Sequence, residues 1–186
     1  MPGSVWDKAI EIANEQHGFI TSEDLRELGE DPARLRQWVR RGGVDRVTHG
    51  VYRFRQIPPT PLDPYMLATL WPAGRGVLSH DTALELHDLC DINPDRIHIT
   101  LPASSRYRPR RRDGGKYVVH HENLVEADLT WHEGIRIVTS VVALRQSIDG
   151  GVPVHLVRQG IETAGRLGRA PLAVLAALTE RLEKRA

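Results

Sequence analysis

Cysteine is almost missing from this sequence: its 186 residues include one, Cys90. That excludes an internal disulfide and any multi-cysteine zinc site. Aromatic residues are scarce at 5%, so a core must rest mainly on Leu, Val, Ile and Ala. No apolar run approaches the roughly 20 residues that span a bilayer, and no basic-then-apolar leader opens the sequence as given. The expected place is the cytoplasm, with no membrane partner. Nucleotide-binding glycine signatures are lacking, as are internal repeats, low-complexity segments and a G-x-S-x-G nucleophile elbow. What remains is ordinary globular composition, 40% hydrophobic and 26% charged. The length suffices for one large domain or two small ones.

Net charge is also small, +1 at pH 7, but its distribution is not. Residues 1–31 set Lys8 and Arg26 against Asp7, Glu11, Glu15, Glu23, Asp24, Glu27, Glu30 and Asp31. Residues 32–56 reverse the sign, with Arg34, Arg36, Arg40, Arg41, Arg46, Arg53 and Arg55 against Asp45 alone. Clustered arginine is the footprint of a surface that meets phosphate. A solvated charged face is the plainer account of any one such run.

Periodicity gives the first sixty residues a definite plan. Val5, Ala9, Ile12 and Ala13 recur at helical spacing from about Ser4 to Gln16, and Gly18 ends that helix. Phe19 and Ile20 read as a short strand. Thr21 and Asp24 suit a capping box for a short second helix ending at Gly29. Asp31-Pro32 then starts a third helix, Pro32 to Arg41, closed by Gly42-Gly43. The β-rich stretch 44–54 folds back at His49-Gly50, a two-residue hairpin turn. Helix, strand, helix, tight turn, helix, hairpin is the winged helix-turn-helix order. The Pro-rich stretch 57–61 reads as a linker, giving expected domains of 1–57 and 58–186.

On the third helix, a step of about 100° per residue puts Leu35, Trp38 and Val39 on one side. Ala33, Gln37 and Arg40 lie near the centre of the other, flanked by Arg36 and Arg41, with Arg34 more lateral. Arginine can bond guanine O6 and N7 in bidentate fashion, and glutamine can do the same at adenine N6 and N7. Arg34 and Arg41 suit phosphates better. Arg46, His49 and Arg53 on the hairpin suit backbone or minor groove, and Ser22 can donate to a phosphate. The expected ligand is double-stranded DNA. RNA stays open, although no aromatic stacking platform shows, and Tyr52 reads as core.

Beyond residue 58 the pattern is mixed. Helices are expected at 63–70, 80–89 with Ser79 as cap, 140–148, 153–167 and 171–184, and strands at 96–101, 117–121 and 135–138. The fold class is therefore α+β, a winged helix-turn-helix followed by a mixed α/β domain. The loop carrying Arg106, Arg108, Arg110, Arg111 and Arg112 can add phosphate contacts or simply be solvated. Leu172, Leu175, Leu178 and Leu182 of the last helix either pack on the helix before it or form a dimer face.

An enzyme is the first rival reading. His80 and His87 stand seven apart, with Asp81, His98, His120 and His121 as further donors. Yet zinc sites on helices favour i,i+4 spacing, as in H-E-x-x-H, and none occurs. Strands 117–121 and 135–138 lack the carboxylates and lysine of a nuclease magnesium site. No metal, cofactor or catalytic residue is expected, and Cys90 reads as a buried thiol.

Several segments carry a family likeness. They are Gly18-Phe19-Ile20-Thr21 through Asp24-Leu25, the stretch 44–53, Leu78-Ser79-His80-Asp81-Thr82-Ala83-Leu84, Ile97-His98-Ile99-Thr100-Leu101-Pro102, and Gly134-Ile135-Arg136-Ile137-Val138-Thr139-Ser140. By order and spacing they resemble the AbiEi antitoxins of bacterial toxin–antitoxin systems over most of the chain. The segment 140–144 departs from the family's usual Pro and Arg-Thr-Leu. The resemblance implies an operon autorepressor that binds inverted repeats in phage defence. It also implies a second domain that counters a nucleotidyltransferase toxin of the AbiEii type, in a type IV system where direct contact is not required. The alternative is a ligand-responsive winged-helix regulator unrelated to any toxin. A nucleotidyltransferase gene immediately downstream separates the two.

Overall fold

The computed structural model describes residues 4–107 and 115–185. The chain divides into two compact units, Met1–Gly76 and Val77–Ala186, and the class is α+β as the sequence implies.

The first unit opens with α1 (Val5–Glu15), capped by Ser4, whose side chain accepts from the Asp7 N–H while the Asp7 carboxylate returns the bond. β1 (Phe19–Thr21) leads into α2 (Ser22–Glu27), then α3 (Ala33–Arg40), β2 (Val44–Thr48) and β3 (Val51–Phe54). The sheet runs β1-β3-β2, all antiparallel. Its core is apolar throughout, from Ala9 and Ala13 of α1 to Ile20, Leu25, Leu35, Val44 and Phe54. Three aromatic rings lock the elements together. Trp6 of α1 meets Trp38 of α3 edge-on at 4.9 Å and Phe54 of β3 at 4.9 Å. Gly43 passes so close to that Trp6 ring that an added Cβ would fall 2.5 Å from it. Tyr52 is core, as expected.

The Pro-rich stretch does not end this unit. The Thr60 hydroxyl lies 3.0 Å from His17 Nδ1 and donates to Asp63, and Asp63 pairs with Arg53 of β3 at 3.0 Å. These bonds fasten α4 (Asp63–Leu70) to the winged helix. The boundary between the units therefore falls after Gly76 rather than at 57/58.

The second unit holds a five-stranded mixed sheet. Its strands are β4 (Val77–Leu78), β5 (Ile97–Leu101), β6 (Tyr117–His121), β7 (Leu129–His132) and β8 (Ile135–Val138), in the order β6-β5-β4-β8-β7. β5–β6 and β4–β8 run parallel; β4–β5 and β7–β8 run antiparallel. α5 (His80–Leu86), α6 (Ser140–Asp149), α7 (Val154–Arg166) and α8 (Leu172–Arg185) complete it. Leu175, Leu178 and Leu182 of α8 are buried, while Leu172 is exposed. The expected cap at Ser79 does not form. The Ser79 hydroxyl accepts from Thr100 and lies 3.0 Å from His80 Nδ1, and Gln146 of α6 takes the His80 N–H instead. α5 also ends at Leu86, three residues short of expectation.

Candidate nucleic-acid interface

The α2–α3 pair is built by its caps. Thr21 accepts from the Asp24 N–H at 3.1 Å, the Asp24 carboxylate accepts from the Thr21 N–H, and Gln16 of α1 donates to that same carboxylate. Asp31 receives the Ala33 N–H at 2.7 Å, so the start signal acts just ahead of Pro32. Leu35 and Trp38 are buried and Val39 is partly buried. That burial turns Arg36, Gln37, Arg40 and Arg41 outward, where all four are exposed. Ala33 is partly exposed on the same side.

The electrostatics follow from which arginines already have partners. Arg34 is engaged by Glu30 at 2.7 Å, and Arg55 makes a two-point pair with Asp45. That pair holds the Asp45 carboxyl below its usual range. Among the described residues no carboxylate lies within ion-pair distance of Arg36, Arg40, Arg41 or Arg46. Four guanidinium groups thus face solvent on one helix and its hairpin, with their charge uncompensated by any such pair.

The hairpin is short. Thr48 and Val51 bracket the turn, Gly50 takes φ 72°, and a register shift between Arg46 and Thr48 leaves Val47 exposed. The left-handed conformation suits Gly and strains other residues. The Gly50 carbonyl accepts from the Ser22 N–H at 2.8 Å, which sets the exposed His49 and the half-exposed Ser22 near one another.

Arg53 is a correction. It was expected at the nucleic acid, but its guanidinium turns inward. It pairs with Asp63, donates to the Ile57 carbonyl at 2.9 Å and lies over the Phe19 ring. The sequence shows Arg53 on a basic strand; its acidic partner lies ten residues on, beyond the Pro-rich stretch. Of the basic loop, Arg106 is exposed, and Arg108, Arg110, Arg111 and Arg112 lie outside the described residues.

Histidine chemistry gathers in the second unit. His80, His98 and His120 meet, whereas His87 stands apart and donates from Nε2 to the Val138 carbonyl at 2.8 Å. Burial pushes His80 down to about 3 and His120 to about 4, each helped by its imidazole neighbours. Among the described residues no three such donors are placed to hold a metal ion. Burial raises the Cys90 thiol to about 11, which leaves almost no thiolate at neutral pH. No described helix is long and apolar enough to cross a membrane.

Comparison with known proteins agrees with the N-terminal geometry. No curated protein matches the chain in sequence. A crystal structure of the RV2827C protein from Mycobacterium tuberculosis aligns over 96% of this chain and 82% of that one. The identity is 16% and the TM-score 0.45, a likeness that transfers neither site nor function. Residues 7–55 match the family described as transcriptional regulator, AbiEi antitoxin. That span runs from α1 to the end of the hairpin, and over it the chain is similar to the AbiEi antitoxin transcriptional regulators.

Proposed function

We propose that this chain is an antitoxin that represses its own operon, with α3 in the major groove of operator DNA. The supporting observation is the exposed, uncompensated row Arg36-Gln37-Arg40-Arg41 opposite a buried Leu35-Trp38 face. Arg40 and Gln37 read base edges, and Ala33 permits close approach. Arg34, Arg36, Arg41, Ser22, Arg46 and His49 meet backbone oxygens. Arg53 takes no part in the contact. The site is an inverted repeat, and Arg106 with its neighbouring arginines adds sequence-independent attraction.

The second unit, on the same proposal, counters a nucleotidyltransferase toxin of the AbiEii type. The reading rests on the family of residues 7–55 and on the segments of the second unit that resemble AbiEi antitoxins.

A binding titration tests the first half. The fragment upstream of the gene's own start is compared with random DNA at two salt concentrations, using wild type and a Gln37→Ala/Arg40→Ala double variant. Wild type prefers the upstream fragment and the variant loses that preference. Equal binding of both DNAs by wild type would sink the reading. For the second half, expression of the full chain restores growth in cells making the neighbouring toxin. No rescue removes the antitoxin role and leaves the DNA result standing.

A further inference from the structure

Three histidines from three elements meet in the second unit. His80 opens α5, His98 lies on β5 and His120 on β6. The His80 and His120 rings stack face to face, with centroids 3.4 Å apart and planes 12° from parallel. His120 Nε2 and His98 Nδ1 are 3.3 Å apart, so one nitrogen donates into the lone pair of the other. Neutral rings tolerate this contact, and a single added proton on the outer side of the bonded pair leaves it intact. Two protons do not fit. They set like charges on rings whose centroids are 5.2 Å apart, which disfavours the second on the order of a hundredfold at an effective dielectric near 20.

The backbone is unusual as well. His80 sits at φ 52°, a conformation uncommon outside glycine, though histidine adopts it more readily than most. It is held by Gln146 on its N–H, Ser79 at its Nδ1 and the His120 ring. A groove of about 450 Å³ lined by all three histidines opens on the cluster, so protons reach it from water.

We propose that the His80–His98–His120 cluster is an acid-sensitive latch, which fastens edge strand β6 to the start of α5 and opens when it is asked to carry a second proton. The surrounding charges do not rescue the doubly charged state. On α5, Asp81 favours a proton on His98. Just before β5, Asp95 helps it and Arg96 opposes it. On β6, His121 opposes a charge on His120 and Glu122 favours one. The Glu122 carboxylate, however, is already bonded by Arg145 and Gln146 of α6 at 2.6 and 2.7 Å, and Arg145 itself opposes a charge on His80. Burial holds His98 below its ordinary range as well, and Asp81 beside it makes it the ring best placed to take a first proton.

The linkage has a definite sign. His80 and His120 bind protons more weakly folded than unfolded, where the midpoint is near 6.5. Their contribution is full above about pH 6.5 and is lost as the pH falls toward 4, each ring costing about tenfold in the folding equilibrium per pH unit.

The test uses the full chain, with urea unfolding between pH 7.5 and 5 for wild type and His120→Gln, and imidazole NMR titration of wild type. His87, also held neutral by burial, contributes equally to both proteins and cancels. Wild type should lose about tenfold more per pH unit than His120→Gln, and two cluster imidazoles should remain neutral at pH 5.5. Equal acid slopes, or three imidazoles titrating near 6.5, would overturn the latch. Should His120→Gln fail to fold, the wild-type titration alone decides.

Discussion

The two units use polar side chains in opposite places. In the first, Thr21 and Thr69 are the only buried polar residues among those described, and charge lies on or near the surface. In the second, Ser79, Thr82, His87, Thr100, Ser140, Gln146 and Ser147 are buried. The first unit is an apolar and aromatic wedge that holds a basic face still. The second is held by buried and half-buried hydrogen bonds between distant residues, such as the His98 N–H to the Thr82 hydroxyl and the Thr100 hydroxyl to that of Ser79. An apolar core tolerates surface substitution because little inside it depends on direction. A core containing directed polar bonds loses more when one partner goes, because the other is left unsatisfied.

The comparison breaks most readily at Trp38. Its ring touches Trp6 and Phe54, and Trp38→Ala should cost about 3–5 kcal/mol as lost burial plus cavity. A urea melt should show the first unit unfolding at markedly lower denaturant, with DNA binding lost alongside. A melt unchanged within 1 kcal/mol would mean that the aromatic wedge is not what holds α3.

A smaller effect sharpens it. Arg53 and Asp63 form an ion pair largely shielded from water, with side-chain exposures of 17% and 16%. Arg53→Met should destabilise by about 1–3 kcal/mol, the cost of leaving a shielded partner unsatisfied. Its salt dependence of DNA binding should stay as in wild type. Arg40→Ala should do the reverse, leaving stability alone and lowering the salt slope. If Arg53→Met flattens the salt slope instead, Arg53 returns to the interface.

This contrast explains what the sequence could show. The first unit was legible because its signals are local: the Thr21/Asp24 box, Asp31-Pro32, the Leu35-Trp38 spacing and the His49-Gly50 turn each act within four residues. Trp6 escaped notice because its value lies in meeting Trp38 and Phe54, far along the chain. Arg53 was misread for the same reason, since its partner Asp63 lies past the prolines. In the second unit β4 has two residues, too few to carry a period. β7 exposes Trp131 (66%), so its alternation does not look like a buried face. The histidine cluster draws on positions 80, 98 and 120: β5–β6 pairing sets His120 opposite Thr100, two residues along from His98, and the start of α5 brings His80 to them.

Thr21→Ala tests a local signal by itself. Losing its side-chain bond to the Asp24 N–H should cost about 1 kcal/mol. The same substitution at Ser79 should not act as a cap loss, because no helix N–H bonds to that side chain. Its effect should instead appear in the histidine cluster, as a shifted His80 resonance.

The smallest expected stability change carries the sharpest functional consequence. Glu30 holds Arg34 in an exposed i,i+4 pair at 2.7 Å, a type worth about 0.3–0.5 kcal/mol. Glu30→Gln should therefore barely move the melt. It should strengthen DNA binding several-fold without altering sequence preference, because it frees one guanidinium for phosphate and removes a carboxylate that phosphate repels. The salt slope should steepen by about one unit, the signature of one more neutralised phosphate. Unchanged affinity with an unchanged slope would place Arg34 off the DNA and narrow the interface to Arg36, Gln37, Arg40 and Arg41.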